Sequence, residues 1–244
     1  MFKLKIVKEK EKINNDWTIE RIASEYPPYS WKDVFESAKD EIKDVSDILK
    51  ERHKRIVPNK EDIFKIFDLV PIHKVKVVIF GQDPYINLVE NGNPQAVGMA
   101  FSVPKNAQIP PSLKNIYKEL KNTVPGFEIP KHGSLQKWVF QGVFLLNACL
   151  TTDIGNSSSH GEIWSGFIKK VINAILDVNP DVIFVLWGKQ AQKMKKIIGE
   201  RANCLESSHP SPLGCYRGFL GCNHFNLINE YLISKGKIPI NWNI

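Results

Sequence analysis

The feature that most restricts how this chain can fold is an alternation that begins after Pro71. Short apolar runs of strand length take turns with longer segments whose apolar residues recur at helical spacing. Four runs read as strands: KVKVVIF ending at Phe80, VFLLN ending at Asn147, DVIFVLW ending at Trp187, and the weaker NCLESS ending near Ser208. Helical patterns run over Leu113 to Val124, Trp164 to Val178, Gln190 to Ile198 and about Phe225 to Ile233. A strand followed by a helical crossover and another strand returns in parallel, with helices packed on the sheet faces. The expectation is an α/β domain with a largely parallel sheet, whose ligands collect at the carboxyl ends of the strands.

Upstream of this alternation, residues 1–15 are lysine-rich with little amphipathic order and read as a basic extension outside the core, leaving 16–244 as one domain. From Ser30, with Asp33 three residues on as a capping box, Trp31, Val34, Phe35, Ala38, Ile42, Val45 and Leu49 predict one amphipathic helix. A second helix is expected over Glu61 to Leu69, between Pro58-Asn59 and Pro71. At 43% hydrophobic residues over 244 positions the chain can bury one sizeable core, and its net charge of +7 suits a polyanionic partner. The four cysteines, Cys149, Cys204, Cys215 and Cys222, form no C-x-x-C pair, which disfavours a disulfide framework, a zinc site and an iron–sulfur centre alike. With no secretory signal before them, the unpaired cysteines suit an intracellular compartment, and since no apolar run approaches the roughly 20 residues that span a bilayer a soluble protein is expected.

Each strand candidate runs into polar residues. The first empties into Gly81-Gln82-Asp83-Pro84-Tyr85, where a carboxylate sits beside an amide and a phenol; alone, this pentapeptide suits a plain turn and a functional site equally. Asn147 closes the second, and alone it reads as a satisfied turn residue. The last leads into Ser208-His209-Pro210-Ser211-Pro212-Leu213, where two prolines fix a loop just after a histidine. Together these ends bring a carboxylate, a donor–acceptor amide, an imidazole and the ring of Phe101 toward one cleft. Such a set suits a nucleobase, whose hydrogen-bonding edge an amide matches and whose face a ring covers.

GQDPY, the AFS of Ala100 to Ser102, PPSLKNIYKEL, GVFLLNACLT, LWGKQAQK and HPSPLGCYRGFLGCNHF, in that order, closely resemble the motifs of family 1 uracil-DNA glycosylases, from about Trp17 onward. The resemblance implies a three-layer α/β/α fold on a central four-stranded, largely parallel sheet. It implies an enzyme that flips uracil out of single- or double-stranded DNA and hydrolyses its N-glycosidic bond, with neither metal nor organic cofactor. Asp83 would position the hydrolytic water and support the positive sugar, and His209 would face uracil O2. A donor aimed at such a developing anion is worth about 3 kcal/mol. The resemblance further implies that Gln82 contacts uracil through its backbone, Tyr85 excludes the thymine methyl, Phe101 stacks and Asn147 reads N3 and O4. Pro111, Ser112, Gly188, Lys189, Ser211 and Arg217 would meet the DNA backbone, while Leu213 wedges into the vacated stack. A monomer is implied, with a replication protein or a uracil-glycosylase inhibitor protein as further partners.

The chain departs from the family pattern in four places. Ile86 follows GQDPY where the family has histidine, and Asn87 to Asn93 is an insertion; Ile86 predicts activity retained but slower or differently salt-dependent. Lys189 stands for a serine and offers a charge contact to phosphate, and Gly214 stands for another and is expected to loosen its loop. Rival readings are a glycosylase of relaxed specificity, for which Tyr85 closes the pocket too tightly, and a DNA-binding replication module that keeps the fold without the chemistry. A dinucleotide-binding oxidoreductase lacks its G-x-G-x-x-G.

Overall fold

The computed structural model describes Ile13, residues 16–52 and residues 54–244. The extension expected over 1–15 lies outside the described residues apart from Ile13, which packs half-buried against the core. Three helices open the described chain, α1 (Ile19–Glu25), α2 (Lys32–Ser37) and α3 (Lys39–Lys50), followed by the two-residue β1 (Ile56–Val57) and α4 (Lys65–Leu69). The central strands are β2 (Val77–Gly81) and β3 (Val143–Asn147), with α5 (Pro111–Thr123) and α6 (Gln136–Val139) between them. The short β4 (Thr152–Asp153) pairs antiparallel with β1. Then come α7 (Ser165–Val178), β5 (Ile183–Trp187), α8 (Lys189–Gln192), α9 (Lys195–Ile198), β6 (Asn203–Ser207) and α10 (His224–Ser234).

The main sheet has the order β3-β2-β5-β6 and every pair in it is parallel, as the strand–helix alternation predicts. All five residues of β2, β3 and β5 are buried, the signature of strands covered on both faces, whereas edge strand β6 is half-exposed. Alternation assigns Val78, Phe80, Phe144, Leu146, Phe184 and Leu186 to one face. Phe144 there meets Trp31 and Phe67, which continue into an aromatic cluster through Phe35 and Phe167. Rings buried in this way cost about 3–5 kcal/mol each when truncated to alanine. The other face carries Ile79, Leu145, Val185, Trp187, Gly81 and Asn147. Trp187 packs there against Phe219 and Phe225 of the C-terminal layer. The sheet thus delivers Gly81, Asn147 and Trp187 to one edge of one face.

Three expected helices are interrupted. The one predicted from Ser30 is a 3₁₀ turn at Tyr29–Trp31, then α2, then α3 after a break at fully buried Ala38. Lys170 of α7 donates to the Ser37 carbonyl at that break. Ser30 does not cap: its hydroxyl accepts from the Ile72 N–H at 3.1 Å, a tertiary partner outcompeting the local one. The Glu61–Leu69 pattern is a 3₁₀ turn at Lys60–Asp62 followed by α4, and Gln190–Ile198 divides into α8 and α9. Helix α1 was not expected, although Thr18 caps it by accepting from Arg21 N–H at 3.1 Å, and Ile19, Ile22 and Ala23 bury its apolar face. Among the described residues no helix is long and apolar enough to cross a membrane.

Candidate active site

The carboxyl ends of β2 and β3 open into a cavity of about 270 Å³ lined by Gln82, Asp83, Tyr85, Phe101, Asn147 and His209, together with Ile86, Ser112 and Ser157. The structure therefore brings together all six residues expected to form the base pocket.

Gly81 and Asn147 are register partners at the ends of the two strands. A Cβ on Gly81 would lie 2.2 Å from Asn147 Oδ1 and 2.9 Å from the Ala100 Cβ, so only glycine lets the Asn147 amide occupy this place. Asn147 is buried, yet it lines the cavity. Beyond Gly81 the chain turns, and its carbonyls accept from the N–H groups of Ala148 and Cys149 at 2.9 and 3.0 Å, through Gly81 and Gln82 respectively. The side-chain amide of Gln82 is used in the wall, donating to Ser158 Oγ at 2.6 Å. Burial pushes the Cys149 thiol up to about 11, so it stays protonated and is no nucleophile beside the carboxylate.

Asp83 Oδ2 accepts from Ser157 Oγ at 2.8 Å and from the Ser158 N–H at 2.7 Å, while Oδ1 has no hydrogen bond among the described residues. The Tyr85 hydroxyl donates to the Phe101 carbonyl at 3.4 Å, and burial, with a smaller push from Tyr117, raises its phenol well above the ordinary value. Phe101 holds a left-handed backbone, φ 63°, a strained conformation for a residue with a Cβ. Its ring is wedged between Trp187, 5.7 Å away edge-on, and His209, 6.1 Å away. Trp187 is in turn fixed by donating to His224 Nδ1 at 3.1 Å. Burial lowers the His224 imidazole to about 4, which keeps that acceptor neutral.

His209 has a defined tautomer. Its Nδ1 accepts from the Ser211 N–H at 3.0 Å, so the proton of the neutral ring sits on Nε2. Burial lowers this imidazole below its ordinary value against the opposing pull of Asp83, so the ring is neutral at pH 7. Two glycines let the histidine approach. At Gly188, φ 88°, a Cβ would lie 2.9 Å from the His209 Cβ. At Gly214 a Cβ would lie 2.6 Å from the His209 carbonyl oxygen. The expectation that Gly214 loosens its loop is therefore corrected: its N–H donates to Ser211 O, its carbonyl accepts from Ser208 Oγ, and the missing side chain permits the close packing.

Around the mouth, Pro111 and Ser112 begin α5, and Asn115 of that helix donates to the Pro210 carbonyl at 2.7 Å, tying the two loops together. Leu213 is 86% exposed, Arg217 and Lys189 are exposed, and neither of these two cations forms an ion pair among the described residues. The Asn87–Asn93 insertion folds back as a small hairpin, with Val89 N–H to Asn93 O and Gln95 N–H to Asn87 O, and Arg55 donates to the Gly92 carbonyl. Ser157 and Ser158 were not singled out from the sequence. No spacing marks them, and they reach Asp83 only through the fold. Among the described residues no group of three or more His, Cys, Asp or Glu side chains stands together to hold a metal ion.

A parallel sheet whose strand ends gather an amide, an aromatic ring, a neutral imidazole and a carboxylate around one cavity has the chemistry to hold a planar polar ring. Comparison with known proteins makes the class specific. A model of the uracil DNA glycosylase superfamily matches residues 67–233. The chain is 47% identical over 222 residues to the uracil-DNA glycosylase of Francisella tularensis subsp. tularensis, covering 88% of this chain and 99% of that one. It is 46% identical over 220 residues to that of Pectobacterium carotovorum subsp. carotovorum, covering 87% and 94%. The crystal structure of mimivirus uracil-DNA glycosylase matches with a TM-score of 0.82 at 35% identity, covering 88% of this chain and 87% of that one. The chain belongs to the uracil-DNA glycosylase superfamily.

Proposed function

We infer that this protein is a uracil-DNA glycosylase, a hydrolase of base-excision repair that flips uracil out of DNA and cleaves its N-glycosidic bond, leaving an abasic site and free uracil. The observation that carries this reading is the convergence of Asp83, Phe101, Asn147 and His209 in one cavity large enough to admit a base.

Chemistry assigns each group its part. The Asn147 amide offers a donor and an acceptor side by side, matching O4 and N3–H of uracil; cytosine reverses both and is rejected, because a mismatched buried amide loses its partners. Phe101 covers the ring face, and Tyr85, held as a phenol, closes the side where thymine carries its methyl. As the bond from C1′ to N1 breaks, its electron pair moves into the uracil ring and charge develops on O2. His209 Nε2–H, neutral and fixed by Ser211, binds that anion better than the neutral base, which lowers the barrier. The sugar left behind is cationic at C1′, and the Asp83 carboxylate stabilises it. Asp83 Oδ1, without a hydrogen-bond partner among the described residues, accepts a proton from water as the water oxygen bonds to C1′, and the departing uracil anion takes up a proton from solvent.

Leu213 fills the gap left by the flipped nucleotide, while Pro111, Ser112, Gly188, Lys189, Ser211 and Arg217 meet the phosphates. A monomer suffices for this chemistry, since every proposed group comes from one chain, and a DNA substrate places the enzyme wherever DNA is held. A variant of the mimivirus enzyme has been solved in complex with UGI. An inhibitor protein seated on the corresponding mouth of this chain, or a replication protein beside it, would be in contact with Leu213 and its neighbours.

The test is incubation, in EDTA, of the protein with end-labelled oligonucleotides bearing one uracil, thymine or cytosine, scoring alkali-cleavable sites beside Asp83→Asn. Release from uracil alone, slowed roughly 10²–10⁴-fold in the variant, is expected. Release of mismatched thymine would favour a relaxed-specificity enzyme. DNA binding without release would leave a binding module.

A further inference from the structure

Asp83 is held by a clamp that lies outside the six residues expected from the sequence to form the base pocket. Its Oδ2 takes two donors from one neighbouring loop, the Ser157 hydroxyl at 2.8 Å and the Ser158 N–H at 2.7 Å. Ser158 lies in the left-handed region, φ 60°, uncommon for a residue with a side chain, and this turn aims both donors at the same oxygen. The loop that carries them is braced. Thr152 Oγ1 donates to the Asn156 carbonyl at 2.8 Å, the Asp153 N–H donates to Ser159 Oγ at 2.8 Å, and Arg52 donates to the Ser159 carbonyl at 3.1 Å. Buried His160 spans Thr151 Oγ1 and Asp153 Oδ1 at 2.8 and 3.0 Å, and Trp164 Nε1 donates to the same threonine hydroxyl. The Gly155 N–H bonds to the Ile86 carbonyl at 3.0 Å, joining this loop directly to the turn that bears Asp83.

We propose that Ser157 is a positioning residue of the hydrolytic step: its hydroxyl locks the Asp83 carboxylate with Oδ2 occupied and Oδ1 turned free to the water and the sugar. Ser157 lines the cavity beside Asp83, where the Ile86 side chain brings no polar atom. A carboxylate on a turn has a freely rotating terminal torsion, and two donors on one oxygen select a single setting of it. The proposal rests on the reading of Asp83 as the group that orients water.

The experiment measures single-turnover and steady-state excision of uracil for wild type, Ser157→Ala, Asp83→Asn and the double variant, with thermal unfolding of each as a control on folding. Ser157→Ala is expected to lower the single-turnover rate about tenfold, the scale of one hydrogen bond to a charged group, with KM little changed and the unfolding midpoint unmoved. In the Asp83→Asn background the serine substitution should have no further effect. Wild-type rates for Ser157→Ala, a rise in KM at constant kcat, or an equal slowing in the Asp83→Asn background would each overturn the proposal. If Asp83→Asn itself excises at the wild-type rate, the assignment of Asp83 fails instead, so the two failures are distinguishable.

Discussion

Lining the floor of the cavity, Asn147, Phe101 and His209 are held by the sheet and the loops leaving it, whereas the lip, Leu213, Arg217 and Lys189 on the segments that follow His209 and β5, stands in solvent. The floor is held by the protein's own contacts: Gly81 makes room for the amide, Ser211 sets the imidazole tautomer, and Trp187 packs against the Phe101 ring. The lip, in the proposed function, takes its contacts from the DNA. This division suits a substrate whose reacting part is small and must be read to within one atom, while the rest is a long polyanion that needs only to be gripped. Catalysis needs preorganised donors at the floor, and a polymer is bound by contacts that form on arrival.

Breaking the floor without touching any reacting group should have the largest effect. In Gly81→Ala the new methyl falls 2.2 Å from Asn147 Oδ1 inside a buried strand end, so the amide must move. Excision is expected to fall about 10²- to 10³-fold, the scale of losing a preorganised donor, while DNA binding through the lip persists. Electrophoretic retardation beside single-turnover rates checks this; equal losses in both would mean that floor and lip are one cooperative unit.

Acid should test the same contrast through stability. Burial lowers the imidazoles of His160, His209 and His224 below the ordinary 6.5, and that of His224 to about 4. Each is neutral in the fold but protonates readily once unfolded. The unfolded chain therefore binds more protons below pH 6.5, and stability that is complete above that value is lost as pH falls toward the folded values. His224 alone accounts for about 3 kcal/mol by pH 4, and its protonation removes the acceptor that orients Trp187 behind Phe101. Thermal unfolding followed from pH 7 to pH 4 should show a falling midpoint, less steep in His224→Gln. A flat profile would refute a floor built on neutral histidines.

The contrast also explains what could be read from the sequence. Strands β2, β3 and β5 were legible because burial on both faces makes them continuous apolar runs, and the polar residues at their ends were legible because a strand end is where a run must stop. Asp83, Asn147 and His209 stand at such ends, but alone the Asp83 turn suited structure and site equally and Asn147 read as a turn residue, so it is the family motifs that supply their proposed roles. The breaks at Ala38 and between α8 and α9 were not legible from periodicity, which sees the apolar face but not the tertiary partner that satisfies a freed carbonyl, as Lys170 does for Ser37. The Ser157 and Ser158 clamp was hidden for the same reason. Its donors lie 74 and 75 positions from Asp83, in a polar loop whose course depends on the Thr151, Asp153 and His160 network. Gly214 was misread because an apparent loosening in sequence is a close packing against His209 O in space.

Leu213 gives the smallest effect and the sharpest separation of lip from floor. At 86% exposure its side chain contributes almost nothing to the folded protein, so Leu213→Ala should leave the unfolding midpoint unchanged, within about 0.5 kcal/mol. Its proposed work appears only when a nucleotide leaves a duplex, where extrusion costs a few kcal/mol and an apolar wedge offsets part of it by filling the gap. A single strand has no partner strand to unpair and less stacking to lose. Excision from duplex DNA should therefore slow about tenfold in the variant, a partial loss of that wedge, while excision from a single-stranded oligonucleotide changes little. Equal slowing on both substrates would place Leu213 with the floor, acting on the base or the carboxylate instead of on the stack.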